Sequence, residues 1–442
     1  MNETIYHKPL NFKNLLVFVI PTMLMTVIQS LYSMIDGVFI SNLIGTDALS
    51  ALTLIAPFFS ILMAIAAMLA SGGSAVVMKK MGEGKEQEAK EDFTMLILVN
   101  ILIGIVLTLG GTAFVSQLSG SFGASPLVTA YCQSYLSTYI AFIVPELLFS
   151  NVLMYVIAAG GSKLAMASSL FGGVFNIAFD FIFIKLFGFG MMGAALASGL
   201  GMMIPCLIIV AYFFNKKRML HFVRPKFRGC VLTRTLSNGV SEFFSNLVSG
   251  VVMLLFNRSM LHYAGENGVA ASTIIFYVFS FMNAVYMGYM LGTSPMFSYF
   301  YGEQNREKLR KLKALSLKLI GALGIATTIL TVLSSRQLIG IFTGPDNPAY
   351  AMALHGNRLF SAALLIAGFN TFSSALFTAL GNGLISAVIS FSRTFVFLAG
   401  CILILPVFLG IDGLWLSVPI AECMALVLSV CFVKKYETKY GY

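Results

Sequence analysis

The chain has 442 residues, of which 58% are apolar and only 10% are charged, and its mean hydropathy is +0.88. Soluble domains carry charge on roughly a quarter of their residues, because a surface in water needs polar groups. A water-soluble globular protein is therefore excluded, and most of the surface must face lipid. The net charge of +10 does not indicate a nucleic-acid partner, since the 28 Lys and Arg lie almost entirely between apolar segments.

Twelve apolar segments are long enough to cross a bilayer. A spanning helix needs about 20 predominantly apolar residues, because every backbone group must be hydrogen-bonded within the segment. In chain order the predicted spans are 14–38, 49–78, 93–115, 134–158, 164–187, 191–214, 237–257, 269–292, 313–334, 358–380, 384–408 and 413–433.

Lys and Arg concentrate in alternate loops, which predicts the orientation of the chain. The loops 79–90, 215–235 and 306–318 hold most of them, whereas the loops between hold few. Since basic loops stay in the cytoplasm, and twelve is an even number of spans, both termini of this multi-pass protein are expected there. The segment 215–235 is interpreted as a charged linker that fixes topology or attracts lipid headgroups.

Short sequence matches recur at a constant offset between the two halves of the chain. GTDALSA at 45–51 corresponds to GENGVAA at 265–271, and GMMGAALAS at 190–198 corresponds to GIDGLWLSV at 410–418. Each half then holds six spans, and an even number gives both halves the same orientation. We therefore expect an all-α integral membrane protein whose twelve transmembrane helices form two parallel six-helix bundles, related by a pseudo-twofold axis along the membrane normal.

The same repeat predicts the domain boundaries. An N-terminal six-helix bundle is expected at 1–214, a cytoplasmic linker at 215–235 and a C-terminal six-helix bundle at 236–442. A cleft between or within parallel repeats is the usual place for a transported solute.

A polar stripe runs along the first span. Gln29, Tyr32 and Asp36 are spaced so that an amide, a phenol and a carboxylate share one helical face. Pro21 removes a backbone hydrogen bond and allows the helix to bend, so span 1 could have two arrangements. Charges inside a bilayer are costly and therefore indicate function. The alternative is a static kink with Asp36 merely near the outer water.

Asn176 and Asp180 share a face of the fifth span, because they are four residues apart. An amide beside a carboxylate can complete the oxygen coordination of a small cation or can hydrogen-bond the protonated acid. The alternative is a hydrogen bond that only packs span 5 against a neighbouring helix.

The remaining intramembrane ionisable residues have less definite roles. Glu146 follows Pro145 in span 4 and either faces a cavity of the first half or serves packing or a cap. Arg393 of span 11 is interpreted as a possible partner of Glu242, and Glu422 has no obvious partner. No catalytic motif or nucleotide-binding domain is present, so an ion gradient must supply any energy, or transport is passive.

These residues give the chain a resemblance to a known family. The Pro21 helix leading to QSLYSMIDGVFIS, NIAFD on span 5 and GAALAS on span 6 are similar to the multidrug and toxic compound extrusion (MATE) transporters, in particular the bacterial DinF/MepA-like grouping. The resemblance implies antiport by alternating access, in which small organic cations or amphiphilic drugs leave as H⁺ or Na⁺ enters. It implies no cofactor beyond that coupling ion.

The resemblance also assigns roles to particular residues. The ion-coupling set would be Asp36, Asn176, Asp180 and Ser198, which would also hold Na⁺ if that is the ion. The substrate cavity would be lined by Gln29, Tyr32, Asp36 and Asp180, and Pro21 would be the hinge. The resemblance also implies a location in the bacterial plasma (inner) membrane. A monomer in contact with membrane lipid is expected, with no nucleic acid.

Two other functions remain open. One is a flippase for lipid-linked oligosaccharide or polysaccharide, from the same superfamily, which would need a strongly cationic cavity for pyrophosphate. The other is a membrane-embedded lipid-modifying enzyme, which would need catalytic side chains clustered at one interface.

Overall fold

The structure, a computed structural model, describes residues 5–120 and 125–442. Within these ranges the side chains at 5, 33–39, 41–42, 46, 49, 116 and 118–120 lie outside the description. The described chain is helical and contains no strand. Spans 1 to 6 are Phe12–Leu43, Thr46–Gly82, Glu86–Gly120, Pro126–Ala158, Ser162–Leu186 and Gly190–Tyr212. Spans 7 and 8 lie within Gly229–Gly302, and spans 9 to 12 are Arg306–Leu333, Pro348–Ala379, Gly383–Leu409 and Ile411–Tyr440.

The helical run Gly229–Gly302 is two spans, not one. Its 74 residues would form a rod of roughly 110 Å, several times the thickness of a bilayer core. Gly265 interrupts it with φ 64° and ψ −160°, a conformation that glycine adopts without steric cost. The chain therefore has the twelve spanning helices that the sequence predicts, and it is a multi-pass membrane protein.

The internal repeat is visible in the backbone. Most left-handed positions of the first half recur at the corresponding place in the second half, where the same helix end or break occurs. The corresponding positions are Gly45 and Gly265, Gly84 and Gln304, Gly160 and Gly381, and Gly190 and Gly410. A short 3-10 segment also divides span 4 at Ile140–Phe142 and span 10 at Ser361–Ala363. The short sequence matches therefore reflect a structural repeat.

Glycines bring the two halves into reciprocal contact at one end of the molecule. A Cβ on Gly82 would overlap the carbonyl oxygen of Tyr299, and a Cβ on Gly302 would overlap the carbonyl oxygen of Lys79. In the repeat, Lys79 corresponds to Tyr299 and Gly82 corresponds to Gly302, so each half presents the same surface to the other. This is the pairing that a two-fold axis generates.

Among the described residues, the hydrophobic core cluster that contains both halves lies at that end. We call it the basic end, because Lys79, Lys80 and the linker lie there. One cluster at the basic end contains residues of both halves, among them Phe93 and Phe300. At the opposite end, the far end, the described residues form separate clusters, one around Tyr135 in the first half and one around Trp415 in the second. The halves are therefore packed together at the basic end and separated at the far end.

The linker between the halves is fastened to span 3. Arg228 donates to Asp92 (2.9 Å) and Glu91 (2.8 Å), and Lys226 pairs with Glu91 (2.9 Å). Phe222 stacks on Phe93 with ring centroids 5.3 Å apart. The linker thus has specific partners on the protein, which neither the topological nor the headgroup interpretation of its charge anticipates.

Candidate functional site

A cavity of about 560 Å³ opens among spans 1, 2, 4, 5 and 6 of the first half and also reaches Asn246 of span 7. We call it the N-half cavity. Its polar wall combines amides, hydroxyls and one carboxylate, and its apolar wall combines aromatic rings with methionines. The polar groups include Gln29, Tyr32, Glu146, Asn176 and Ser198, and the apolar groups include Phe59, Met63, Phe149 and Met202.

Span 1 presents its polar stripe to this cavity, as the sequence predicts. Gln29 and Tyr32 both lie on the wall, and the Gln29 amide is 3.5 Å from the Ser169 hydroxyl of span 5. The Tyr32 ring packs on Gly173, where an added Cβ would lie 2.8 Å from the ring. The third member of the stripe, Asp36, belongs to the span 1 helix, but its side chain lies outside the described residues.

Spans 5 and 6 bring three of the sequence-predicted residues together. Asn176 and Ser198 line the cavity, and the two helices approach so closely that a Cβ on Gly201 would lie 2.8 Å from that of Asn176. Asp180 is completely buried one turn beyond Asn176, behind the wall and not on it. There the α-helix changes to a π-helical turn, Phe181–Leu186. Such turns are frequent at functional sites, because they redirect side chains.

The Asn176 amide offers a free acceptor in this buried place. Its side chain is 6% exposed, and its Oδ1 has no hydrogen-bond donor among the described residues. A buried amide oxygen without a donor costs free energy. A role of the Asn176 Oδ1 as a ligand of a bound cation would account for that cost.

Pro21 lies buried within a continuous span 1 helix, and the next residue, Thr22, packs against Gly288 and Gly292 of span 8. The Thr26 hydroxyl, one turn further on, donates to the carbonyl oxygen of Ala284 (2.7 Å). A second cavity of about 430 Å³ separates spans 1 and 8 and is lined by Gln29, Ser30 and Asn283 among others. Gln29 lines both cavities, so this part of span 1 lies between them.

The second half contains a polar network that corrects one sequence interpretation. Arg393 pairs with Glu422 at 2.7 Å, and not with Glu242. Asn370 of span 10 also donates to Glu422 (2.7 Å), and Arg393 donates to the Thr371 hydroxyl (3.0 Å). The sequence interpretation failed because contacts between spans 10, 11 and 12 depend on helix rotation, which hydropathy does not report.

Sequence reasoning singled out neither Asn370 nor Thr371. The available signal was the polar run NTFSS within an apolar span, since amides and hydroxyls of membrane helices tend to find partners across helices. Within the described part of the chain, no group of three or more His, Cys, Asp or Glu side chains is arranged to hold a metal ion.

The comparison with protein families decides the class of this chain. The MatE family model matches residues 21–182 and again residues 242–403. The chain belongs to the MatE family. The two matches are equally long and lie one in each half, in agreement with the backbone repeat, and together they cover well over half of the sequence. Members of the MatE family are ion-coupled membrane transporters and not enzymes, with drugs or cations as substrates.

Named relatives of the MatE family extend over nearly the whole chain. The multidrug export protein MepA of Staphylococcus saprophyticus is 22% identical over 97% of this chain and 94% of its own length. The MepA protein of Staphylococcus aureus is 23% identical over 96% of this chain and 93% of its own length.

Two solved structures share the fold at 24% identity. A crystal structure of MATE in complex with MaL6 has a TM-score of 0.94 and covers 100% of this chain and 99% of its own. An outward-facing conformation of a multidrug resistance MATE family transporter has a TM-score of 0.93, covering 99% and 98%.

Proposed function

We propose that this MatE transporter is a secondary active multidrug exporter, which exchanges small organic cations or amphiphilic drugs for inward-moving H⁺ or Na⁺. The observation that carries the proposal is the N-half cavity. Its volume of about 560 Å³ suits a drug-sized ligand, and aromatic and thioether side chains adapt to many apolar shapes. The multidrug export names of the MepA relatives support the same substrate class.

The coupling ion is proposed to bind behind the cavity wall. The ion-coupling residues are Asp36, Asn176, Asp180 and Ser198. The complete burial of Asp180 and the free Asn176 Oδ1 one turn away support this assignment, because a buried carboxylate and an amide oxygen suit either a proton or Na⁺.

Exchange follows if ion and substrate favour different positions of span 1. We propose that ion binding draws the span 1 face toward span 5, with Pro21 as the hinge, and so contracts the N-half cavity around Gln29 and Tyr32. The tight contact between Tyr32 and Gly173 supports this step, because it joins span 1 to span 5 at the cavity wall and so links the positions of the two helices. An ion that stabilises the contracted cavity must weaken substrate binding, and substrate must weaken ion binding equally.

We assign the basic end to the cytoplasm by the positive-inside rule. The termini are then both cytoplasmic, in a bacterial plasma membrane, and the structure is an outward-facing state. Return to an inward-facing state requires the glycine contacts of the basic end to separate.

The proposed units are the bundles 1–214 and 236–442 with the linker 215–235, and the double family match supports this division. We propose a monomer surrounded by lipid.

The polar network of the second half weighs against a lipid-linked oligosaccharide flippase. A pyrophosphate carrier needs uncompensated positive charge in its cavity. Arg393, the arginine that the sequence places within a span, is already neutralised by Glu422.

Ethidium efflux from cells tests the proposal. Asp36→Asn and Asp180→Asn should abolish efflux at normal expression, because an amide cannot take up a proton or neutralise Na⁺. Asp47→Asn, a matched change at an exposed acid beginning span 2, should retain it. Wild-type rates in both coupling variants would refute the coupling site.

A further inference from the structure

Glu146 is a carboxylate of the N-half cavity that the coupling site does not use. Its side chain lines the cavity and is 2% exposed. The Tyr139 hydroxyl interacts with it, but neither carboxylate oxygen has a donor at full hydrogen-bond geometry among the described residues. A phenol supplies no positive charge, and burial without a counter-charge is costly. The burial of the Glu146 carboxylate therefore indicates a role other than packing.

The local backbone holds Glu146 on the cavity wall. Pro145 has no N–H, so it cannot donate to the carbonyl of Ala141, and the helix loosens into the 3-10 segment Ile140–Phe142 just before it. A new α-helical segment begins at Ile143 and places Glu146 in its first turn. The carboxylate therefore projects from a rigid helix start and not from a mobile loop.

Aromatic rings surround the same part of the cavity. Phe59 and Tyr139 pack edge to face with centroids 4.8 Å apart, and Tyr135 stacks on Tyr139 at 5.7 Å. All three line the cavity together with Glu146. Ring faces attract cations, and aromatic walls beside a carboxylate are suited to quaternary or lipophilic cations that cannot form strong hydrogen bonds.

We propose that Glu146 binds the positive charge of the substrate, within the aromatic wall formed by Phe59, Tyr135 and Tyr139. This inference rests on the proposed export function and deepens it. It assigns the two cations to different sites. The residues around Asp180 bind the coupling ion behind the cavity wall, and Glu146 binds the organic cation in the cavity. A bound cation supplies the counter-charge that the buried carboxylate lacks.

The proposal predicts that only charged ligands depend on Glu146. An uncharged molecule of similar shape binds through its contacts with the aromatic rings and methionines alone. A merely structural role would instead change the binding of charged and uncharged ligands alike. This difference allows the two explanations to be separated by one substitution.

Binding to the purified full-length protein tests the inference. The affinities of tetraphenylphosphonium and of the uncharged triphenylphosphine oxide are measured directly by isothermal titration calorimetry in detergent, without any ion gradient. Glu146→Gln should weaken the binding of tetraphenylphosphonium by about tenfold or more, because it removes the Coulomb attraction of one unit charge in a poorly solvated cavity. It should leave the affinity for triphenylphosphine oxide within about twofold. Glu146→Asp should restore most of the preference for the cation.

Glu266→Gln is the matched control, the same change at an exposed acid beside Gly265 that does not line the cavity, and should leave both affinities unchanged. Unchanged tetraphenylphosphonium affinity in Glu146→Gln, or an equal loss for both ligands, would overturn the inference. The export function fails separately, if wild-type protein in liposomes moves no cation under either an H⁺ or a Na⁺ gradient.

Discussion

The Arg393–Glu422 pair provides a quantitative test of how the second half is held together. Three N–H···O contacts of 2.7–3.0 Å join the two side chains, which are 19% and 7% exposed. Arg393→Met removes the cation and leaves the Glu422 carboxylate with Asn370 as its donor. Removing one partner of a buried pair costs about 3–5 kcal/mol. Because Arg393 is partly exposed, the lower part of that range applies, about 3 kcal/mol.

The double variant should recover most of this loss. Arg393→Met with Glu422→Gln leaves no uncompensated charge, and the new amide still accepts from Asn370. A buried ion pair replaced by uncharged groups of similar size is often neutral in stability. The double variant should therefore lie within about 1 kcal/mol of wild type, which requires a coupling free energy of at least about 2 kcal/mol.

Thermal unfolding in detergent, followed by size-exclusion chromatography, measures the effect. For a unit of about 200 residues, 1 kcal/mol corresponds to roughly 2–4 °C, so Arg393→Met should lower the apparent Tm by about 6–12 °C. Glu242→Gln serves as the control, because Glu242 takes no part in this pair. If Arg393→Met and Glu422→Gln each lowered the Tm and the two decreases simply added in the double variant, a direct pair between Arg393 and Glu422 would be refuted.

Two further predictions concern the basic end. Gly302→Ala forces a methyl group into the carbonyl of Lys79 and should shift the protein away from the proposed outward-facing state, measured as increased cysteine labelling at the basic end. Gly250→Ala, in open space, should not. Asp92→Asn removes the negative charge that pairs with Arg228 at 2.9 Å and should loosen the linker, measured as faster proteolysis between the halves. An unchanged labelling pattern or digestion rate would contradict the respective contact.

The sequence predicted the number and order of the spans because lipid imposes one simple requirement. Every spanning segment must be apolar and helical, so hydropathy located all twelve, and basic loops separated them. The break at Gly265 was also predictable, since this glycine occupies the place in the second half that corresponds to Gly45. The repeat was visible in the sequence because left-handed helix ends demand particular residues, while the apolar surfaces between them do not.

Side-chain partners between helices were harder to predict. The shared face of Gln29 and Tyr32 follows from helical periodicity alone, and both line the N-half cavity. The choice of Glu422 over Glu242 as the partner of Arg393 depends on the rotation and packing of three helices. The π-helical turn after Asp180 has no sequence signal that distinguishes it from a regular helix.

The measurement that tests the central claim most directly is transport in proteoliposomes with the H⁺ and Na⁺ gradients imposed separately. Liposomes with wild-type protein should accumulate ethidium only when one of the two ions runs down its gradient out of the liposome. Asp180→Asn should reduce the rate of ethidium uptake to that of empty liposomes. Gradient-driven transport that persists at the wild-type rate in Asp180→Asn would contradict ion coupling at this site.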